Sequence, residues 1–191
     1  MRPRQLDLFG SPEPDYPDGF RYQAELLSAP EQAALITNVA ALPFRDFEFQ
    51  GYTGKRRVVS YGWHYDFTTE ELVKSEELPP FLLPLREKTA KFAGLAPARL
   101  QQVLITEYGP GAAIGWHKDK GVFGQVVGVS LVSACVFRLR CKTGAKWERC
   151  SVIAEPGSAY LLSGRSRTEW EHSIPPVDAL RYSVTFRNLR D

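Results

Sequence analysis

The triplet His117-Lys118-Asp119 sets an imidazole and a carboxylate two residues apart. On an extended strand residues i and i+2 project from one face, so both side chains can reach a single ion. A second imidazole, His172, lies on a later strand-like run. Two histidines and one carboxylate, with the remaining positions open, form the facial donor set of non-haem iron(II) oxygenases, where a cosubstrate and dioxygen must both bind. The only other histidine is His64. H-x-D triplets also arise by chance, so spacing alone leaves ordinary core or surface histidines as an equal reading.

A second chemical pattern lies near the C-terminus. Arg181-Tyr-Ser-Val-Thr-Phe-Arg187 alternates strictly. Arg181, Ser183, Thr185 and Arg187 share one strand face, and Tyr182, Val184 and Phe186 the other. The two arginine Cα atoms would stand roughly 20 Å apart, with long side chains able to converge on one pocket. Paired guanidinium groups suit a dicarboxylate, which they bind through charge-assisted hydrogen bonds. The alternative is a solvated polar face on an edge strand.

The elements that must carry these residues can be read from punctuation and periodicity. Ser28-Ala-Pro-Glu31 has the S-x-x-E pattern of a helix start, followed by Ala33, Ala34, Leu35, Ile36 and Val39. A second helix is expected from about Pro80 to Phe92, ended by Gly94. Beyond Gly94 short β-rich runs recur between Gly, Pro and Ser: 102–108, 113–117, 125–131, 135–140, 147–153, 159–162, 168–174 and 181–187. No stretch of crossover length separates them, which argues against a parallel α/β sheet. The expected fold is mainly β (α+β): a jelly roll with two supporting helices on its N-terminal side.

The chain has 191 residues, 43% of them hydrophobic and 24% charged, which suits one domain with a buried core. Its net charge of +2 is too small to argue for nucleic-acid binding by itself. Basic residues do cluster locally, at Lys55-Arg56-Arg57 and at Arg138, Arg140, Lys142, Lys146 and Arg149 with only Glu148 opposing. Those stretches read equally as solvated loops or as phosphate-facing surface. Cys135, Cys141 and Cys150 are odd in number and lack C-x-x-C spacing, so neither a disulfide framework nor a zinc site is indicated. Met1 to Phe9 has no apolar secretory core, and no segment has the roughly 20 apolar residues of a membrane span. These features lead us to expect a cytoplasmic monomer with no membrane partner. Residues 1–19, with Pro3, Pro12, Pro14 and Pro17, read as a flexible tail, and 20–191 as one domain.

Together, His117-x-Asp119, His172 and Arg181-x5-Arg187 resemble the AlkB-type Fe(II)/2-oxoglutarate-dependent dioxygenases in order and approximate spacing. The segment from Leu104 to Gly111 resembles the strand and turn before that family's H-x-D. Gly164-Arg-Ser-Arg167-Thr-Glu-Trp-Glu-His172 resembles its G-x-x-R-x-x-W-x-H stretch. The resemblance runs from about Phe20 to Arg190 and implies a double-stranded β-helix, a jelly roll. It implies Fe(II) held by His117, Asp119 and His172, with 2-oxoglutarate and dioxygen as cosubstrates. Arg181 would pair with the distal carboxylate of 2-oxoglutarate, Tyr108 would hydrogen-bond it, and Arg187 would lie nearer the iron. The implied reaction is oxidative dealkylation of damaged nucleobases, with DNA repair as its setting.

The chain departs from the family pattern at three places. Thr106 stands where many members have Asn, and Ser183 stands where the last strand often carries Asn. Gly121 stands where base-repairing members often carry an acidic residue that contacts an exocyclic amine. The last departure favours RNA, including tRNA, or protein as alternative substrates. A non-catalytic jelly-roll binding module is a further alternative. The family places a nucleotide-recognition lid at about 50–67, where Arg56 and Arg57 precede Tyr61, Trp63 and Tyr65. Those five are the expected substrate contacts, the three aromatics on one strand face. Gln5-Leu6-Asp7-Leu8-Phe9 resembles the short peptide by which DNA enzymes dock on the replication sliding clamp, with Gln5, Leu6, Leu8 and Phe9 as anchors; this favours DNA over RNA.

Overall fold

The computed structural model describes residues 16–49, 52–66, 69 and 71–190. The tail motif at 5–9 and residues 50, 51 and 67 of the expected lid lie outside them. The described strands are β1 (Phe20–Gln23), β2 (Arg45–Phe49), β3 (Tyr52–Tyr61), β4 (Trp63–Asp66), β5 (Glu71–Lys74), β6 (Gln102–Tyr108), β7 (Ile114–His117), β8 (Phe123–Leu131), β9 (Cys135–Thr143), β10 (Lys146–Ala154), β11 (Ala159–Leu162), β12 (Glu171–Ile174) and β13 (Arg181–Leu189). The helices are α1 (Ala29–Ala40), α2 (Leu83–Ala93) and the single turn α3 (Gly164–Thr168).

From β6 onward the chain crosses back and forth between two sheets. The large sheet runs β1-β11-β8-β13-β6-β3-β2 and the small sheet β10-β9-β12-β7. Among the described residues every strand pairing is antiparallel. Eight strands, β6 to β13, divide four and four between the sheets, which is the jelly roll expected from the eight runs. One run differs. The first residue of the expected strand 168–174 closes the turn α3, where Ser163 opens the helix and Ser166 Oγ donates back to the Ser163 carbonyl at 2.8 Å. Only Glu171–Ile174 is strand.

Alternation along β13 explains how the layers separate. Tyr182, Val184 and Phe186 pack with Leu35, Val39, Leu82, Leu85 and Ala90 of the helical layer. Burying each such aliphatic side chain contributes about 1.5–3 kcal/mol, so this contact fixes the helices to the outer face of the large sheet. Arg181, Ser183, Thr185 and Arg187 face the other way, toward the small sheet. There Phe137, Leu139, Tyr160 and Trp170 form a second core between the sheets. At the start of α1, Ser28 N–H and Ser28 Oγ both donate to Glu31, at 3.0 and 2.8 Å. Gly94 ends α2 in the left-handed conformation, as its position predicts.

Two boundaries move. Residues 16–19, expected in the tail, pack against the body: the Tyr16 ring meets Phe20 edge-on at 5.0 Å, and Gly19 O accepts from Ser163 Oγ at 2.8 Å. The expected lid divides as well. Arg56 to Tyr61 are ladder-paired with β6 and belong to the large sheet. Only β4 and β5 form a separate two-stranded ribbon. The break is Gly62, whose φ is +78° and whose missing Cβ would meet Gln101 O at 2.0 Å; only glycine can turn the chain there. Among the described residues no helix is long and apolar enough to cross a membrane.

Candidate active site

The small sheet brings the two histidines together. His172 on β12 is the direct cross-strand partner of His117 on β7, and the ring centroids are 4.2 Å apart. Asp119 arrives differently from the strand alternation expected. β7 ends at His117, and Asp119 sits beyond it in the loop leading to β8. That loop is pinned by Arg167, which donates to Gly124 O at 2.8 Å, Lys120 O at 2.7 Å and Phe123 O at 2.8 Å. The buried carboxylate then accepts from Arg187 at Oδ1, with Nε at 2.9 Å and Nη2 at 2.7 Å. The remaining Arg187 nitrogen, Nη1, donates to Gln102 Oε1 at 2.9 Å.

Protonation in this cluster suits a cation. His117 Nδ1 lies 2.9 Å from Gly115 O. A carbonyl can only accept, so Nδ1 carries the hydrogen and Nε2 keeps its lone pair. Burial is the main force lowering the His117 pKa, partly offset by Asp119. Burial, with His117 beside it, pulls His172 down to about 3. Burial alone would raise Asp119, but Arg187 and the neighbouring rings outweigh it and hold the carboxyl well below the usual range. Near neutral pH the trio is two neutral imidazoles and a carboxylate, the states that metal ligands require.

Among the described residues no group of three such side chains is already closed around a common point. The fit is decided by one atom. Asp119 Oδ2 is buried with no hydrogen-bond partner and faces His172 Nε2 at 3.6 Å. Leaving a buried acceptor unsatisfied costs about 1–3 kcal/mol, and more for a charged group. A cation held between these atoms would remove that cost, so the donor set fits Fe(II).

The same interior holds a second orphan. Arg181 is fully buried, with Nε donating to Ser130 Oγ at 3.1 Å and the guanidinium 5.1 Å from the Tyr108 ring centroid. Its Nη1 and Nη2 are buried without partners. Two parallel N–H groups with nothing to donate to fit the two oxygens of a carboxylate. Thus the two arginines of β13 do not share one role. Arg187 is already committed to Asp119 and Gln102, whereas Arg181 keeps two buried N–H groups that could take a carboxylate. Ser183 and Thr106, the two departures noted above, are cross-strand partners on this wall, both buried, and put two small hydroxyls there.

The expected substrate residues are scattered by the fold. Arg56 and Arg57 point to opposite faces of β3. Arg57 leaves the site and forms a bidentate pair with Glu107, at 2.7 and 2.9 Å. Arg56 turns toward Tyr108 and His117, its guanidinium 3.9 Å from the Phe47 ring centroid, and burial lowers its pKa. Tyr61 is buried in the helix-side core, so it is a packing residue. It shares no face with Trp63 and Tyr65, because Gly62 breaks the strand between them. Tyr65 on β4 lies over the loop after Asp119, 5.0 Å from Lys120 Nζ, and Trp63 is half-buried on the same ribbon. The sequence assigns no role to Ser130, Gln102 or Arg167, which orient Arg181, Arg187 and the Asp119 loop. Only Arg167 carries a signal, inside the G-x-x-R-x-x-W-x-H stretch.

A jelly roll with two histidines, a carboxylate and an inward arginine defines the class of non-haem iron oxygenases that use an oxo-acid cosubstrate. Residues 19–187 match the model of the 2OG-Fe(II) oxygenase superfamily, and the chain belongs to that family. Fe(II), 2-oxoglutarate and dioxygen are the family's cofactor and cosubstrates. The chain is 28% identical over 162 residues to the alkylated DNA repair protein ALKBH8 homolog of Arabidopsis thaliana, covering 71% of this chain. It spans 47% of that relative's length, about half. The fold is shared with the solved structure of OsALKBH1, at a TM-score of 0.65 and 17% identity, covering 89% of this chain and 96% of the other. It is also shared with a 2OG-Fe(II) oxygenase family oxidoreductase from Burkholderia pseudomallei, at 0.63 and 18%, covering 91% and 86%.

Proposed function

We propose that this chain is an Fe(II)- and 2-oxoglutarate-dependent dioxygenase that oxidatively dealkylates nucleobases, with His117, Asp119 and His172 holding the iron. The observation that carries this reading is the pair of buried orphans: the partnerless Asp119 Oδ2 between neutral imidazoles, and the partnerless Nη1 and Nη2 of Arg181 in the same inter-sheet space. One asks for a cation and the other for a carboxylate. When bound, Fe(II) with 2-oxoglutarate and dioxygen supplies oxidation of an N-alkyl carbon, which leaves as an aldehyde while the oxo-acid becomes succinate and carbon dioxide.

The chain's residues bind and orient. Arg181 takes the distal carboxylate, with Tyr108 beside it and Ser130 fixing its Nε. Arg187 and Gln102 hold Asp119 with Oδ2 turned inward. Ser183 and Thr106 line the wall between the anchors, and Phe137 and Tyr160 keep water from it. Arg56, Trp63 and Tyr65 receive the substrate: a cation for a backbone phosphate and aromatic faces for the base. Arg57 and Tyr61 take no part. DNA is favoured over RNA by the clamp-like segment Gln5–Phe9 and by the description of the Arabidopsis relative as a DNA repair protein.

Mass spectrometry of modified DNA and RNA oligonucleotides, incubated with Fe(II), ascorbate and 2-oxoglutarate, tests the proposal. Loss of the alkyl mass from a DNA lesion, absent with His172→Ala, is the expected result. Succinate without any change in an oligonucleotide would reject nucleobase dealkylation. One observation favours the same chemistry on RNA or protein: Gly121 borders open space, with no atom within 4 Å of where a Cβ would sit, at the place a base-reading acid would occupy.

A further inference from the structure

The outer face of the small sheet takes no part in the reaction proposed, yet it carries an unusual surface. Along β9 the residues Phe137, Leu139 and Cys141 turn inward, so Arg138, Arg140 and Lys142 turn out. Trp116 precedes His117 on β7 and faces outward for the same reason. The Arg140 guanidinium lies 4.3 Å from the Trp116 ring centroid and 4.5 Å from that of Trp147, a planar cation between two indoles. Arg138 extends the row at 5.0 Å from Trp116, and Arg149 at 5.9 Å from Trp147. Cations and indoles from β7, β9 and β10 therefore alternate across the four-stranded sheet.

Cations outnumber acids on this face. Lys118 and Lys142 are exposed around the row. The nearby acids are already engaged: Glu171 with Arg140 at 2.6 Å, Glu148 with Thr143 Oγ1 at 2.8 Å, and Glu169 with Arg165 at 2.8 Å. Trp147 remains 38% exposed although it is the largest apolar side chain on its hairpin. A solvated sheet face has no need of an exposed indole; the informative observation is the large apolar group left in water. A cleft lies between Lys118, Arg140, Lys142 and Trp147, with the paired acids Glu169 and Glu171 on its wall. Lys118 also separates His117 from Asp119 in the chain, so this cleft borders the loop of the candidate metal ligands.

We propose that this face is a docking track for single-stranded nucleic acid, taking the unmodified nucleotides that flank the target base. The inference rests on the nucleic-acid reading above. Sequence-independent strand binding combines a positive groove that follows the phosphates with rings that stack on bases, and an arginine plane also serves as a stacking surface. The row from Arg138 to Arg149 interleaves both ingredients. An acidic peptide would use the cations but leave the indoles idle, so the strand is the occupant the surface fits.

The test is fluorescence anisotropy of a labelled, unmodified single strand of about 15 nucleotides with the Fe(II)-loaded full chain. Trp147→Ala weakens binding by about tenfold, and Trp147→Phe restores most of it. Lys142→Ala with Arg149→Ala lowers the slope of log affinity against log salt by about 0.7 for each phosphate that is no longer neutralised. For a modified oligonucleotide of that length Trp147→Ala raises KM and leaves kcat unchanged. Succinate formation without nucleic acid stays at the wild-type rate. Wild-type affinity and salt slope in these variants would overturn the inference, as would competition by polyglutamate equal to that by the oligonucleotide. The reaction and the track fail separately: strand binding that depends on Trp147, with no lesion altered, upholds the track and removes the dealkylation.

Discussion

Replacing Arg181 by Met should move stability and cosubstrate binding in opposite directions. In the ligand-free chain the guanidinium is fully buried with Nη1 and Nη2 unsatisfied. Each unsatisfied donor costs about 1–3 kcal/mol. Against that stand its Nε bond to Ser130, about 1 kcal/mol, and its place over the Tyr108 ring, about 0.5–2 kcal/mol. Ser130 Oγ keeps its bond to Ala154 O at 3.2 Å after the change, so no new orphan donor forms there. Met fills most of the same volume. The ligand-free variant is therefore expected to be as stable as wild type or more stable, by up to a few kcal/mol. With 2-oxoglutarate bound, the variant loses a bidentate charged pair worth about 3–5 kcal/mol, a weakening of roughly 150- to 5,000-fold. Urea denaturation with and without 2-oxoglutarate, beside the KM for 2-oxoglutarate in succinate formation, reads both effects. A variant that loses stability without ligand, yet is stabilised by 2-oxoglutarate as wild type is, would refute the assignment and make Arg181 a structural cation.

Gly128→Ala should damage the same pocket from the other side. Its Cβ would meet the Tyr160 ring at 2.2 Å, and that ring is backed by Phe137 at 4.1 Å and cannot retreat freely. A loss of about 1–3 kcal/mol in thermal denaturation and a raised KM for 2-oxoglutarate are expected. Glu31 is held down at about 2 by its bond to Lys88 and then by Ser28. Its folded pKa lies below its unfolded value, so the stability it adds is present above about 4.3 and is lost as pH falls toward 2. Glu31→Gln should flatten the urea midpoint against pH within that window and leave it unchanged in slope above it. Trp63→Ala and Tyr65→Ala should each weaken binding of a modified oligonucleotide by roughly 5- to 150-fold in anisotropy titrations; unchanged affinity would remove them from the substrate site. Leu8→Ala with Phe9→Ala should abolish binding of the full chain to purified sliding clamp in surface plasmon resonance, and retained binding would dismiss the tail motif.

Elements with a clean period are legible in the sequence, and those whose logic is tertiary are not. The runs 102–108 and 159–162 coincide with β6 and β11 because β-rich residues between turns mark them, and Arg181–Arg187 with most of β13 because it alternates. The large sheet's extension through β3 and β2 is not marked in this way. Arg45-Asp-Phe-Glu-Phe49 is rich in charge because it is an edge strand, and its ladder to β3 leaves no sequence trace. The short α3 goes unread ahead of the expected strand 168–174, which it overlaps at Thr168, since five residues carry no helical period. The donor set itself is legible as residue types. That His117 faces His172 directly is a matter of register, and the pinning of the Asp119 loop by Arg167 spans more than 40 residues. Neither can be seen from spacing. The doublet Arg56-Arg57 shows the limit most plainly: two like residues, separated by one strand alternation, end on a site and on a salt bridge.

The central claim is that one interior site couples 2-oxoglutarate turnover to loss of an alkyl group from a nucleobase. Succinate and released aldehyde should be counted in the same reaction, with Fe(II), 2-oxoglutarate and an N-alkylated DNA oligonucleotide, for wild type and His172→Ala. One aldehyde per succinate beyond the nucleic-acid-free background, with both products lost in the variant, is the predicted result. Succinate that never rises on adding any alkylated oligonucleotide, or products that survive His172→Ala, would contradict the account.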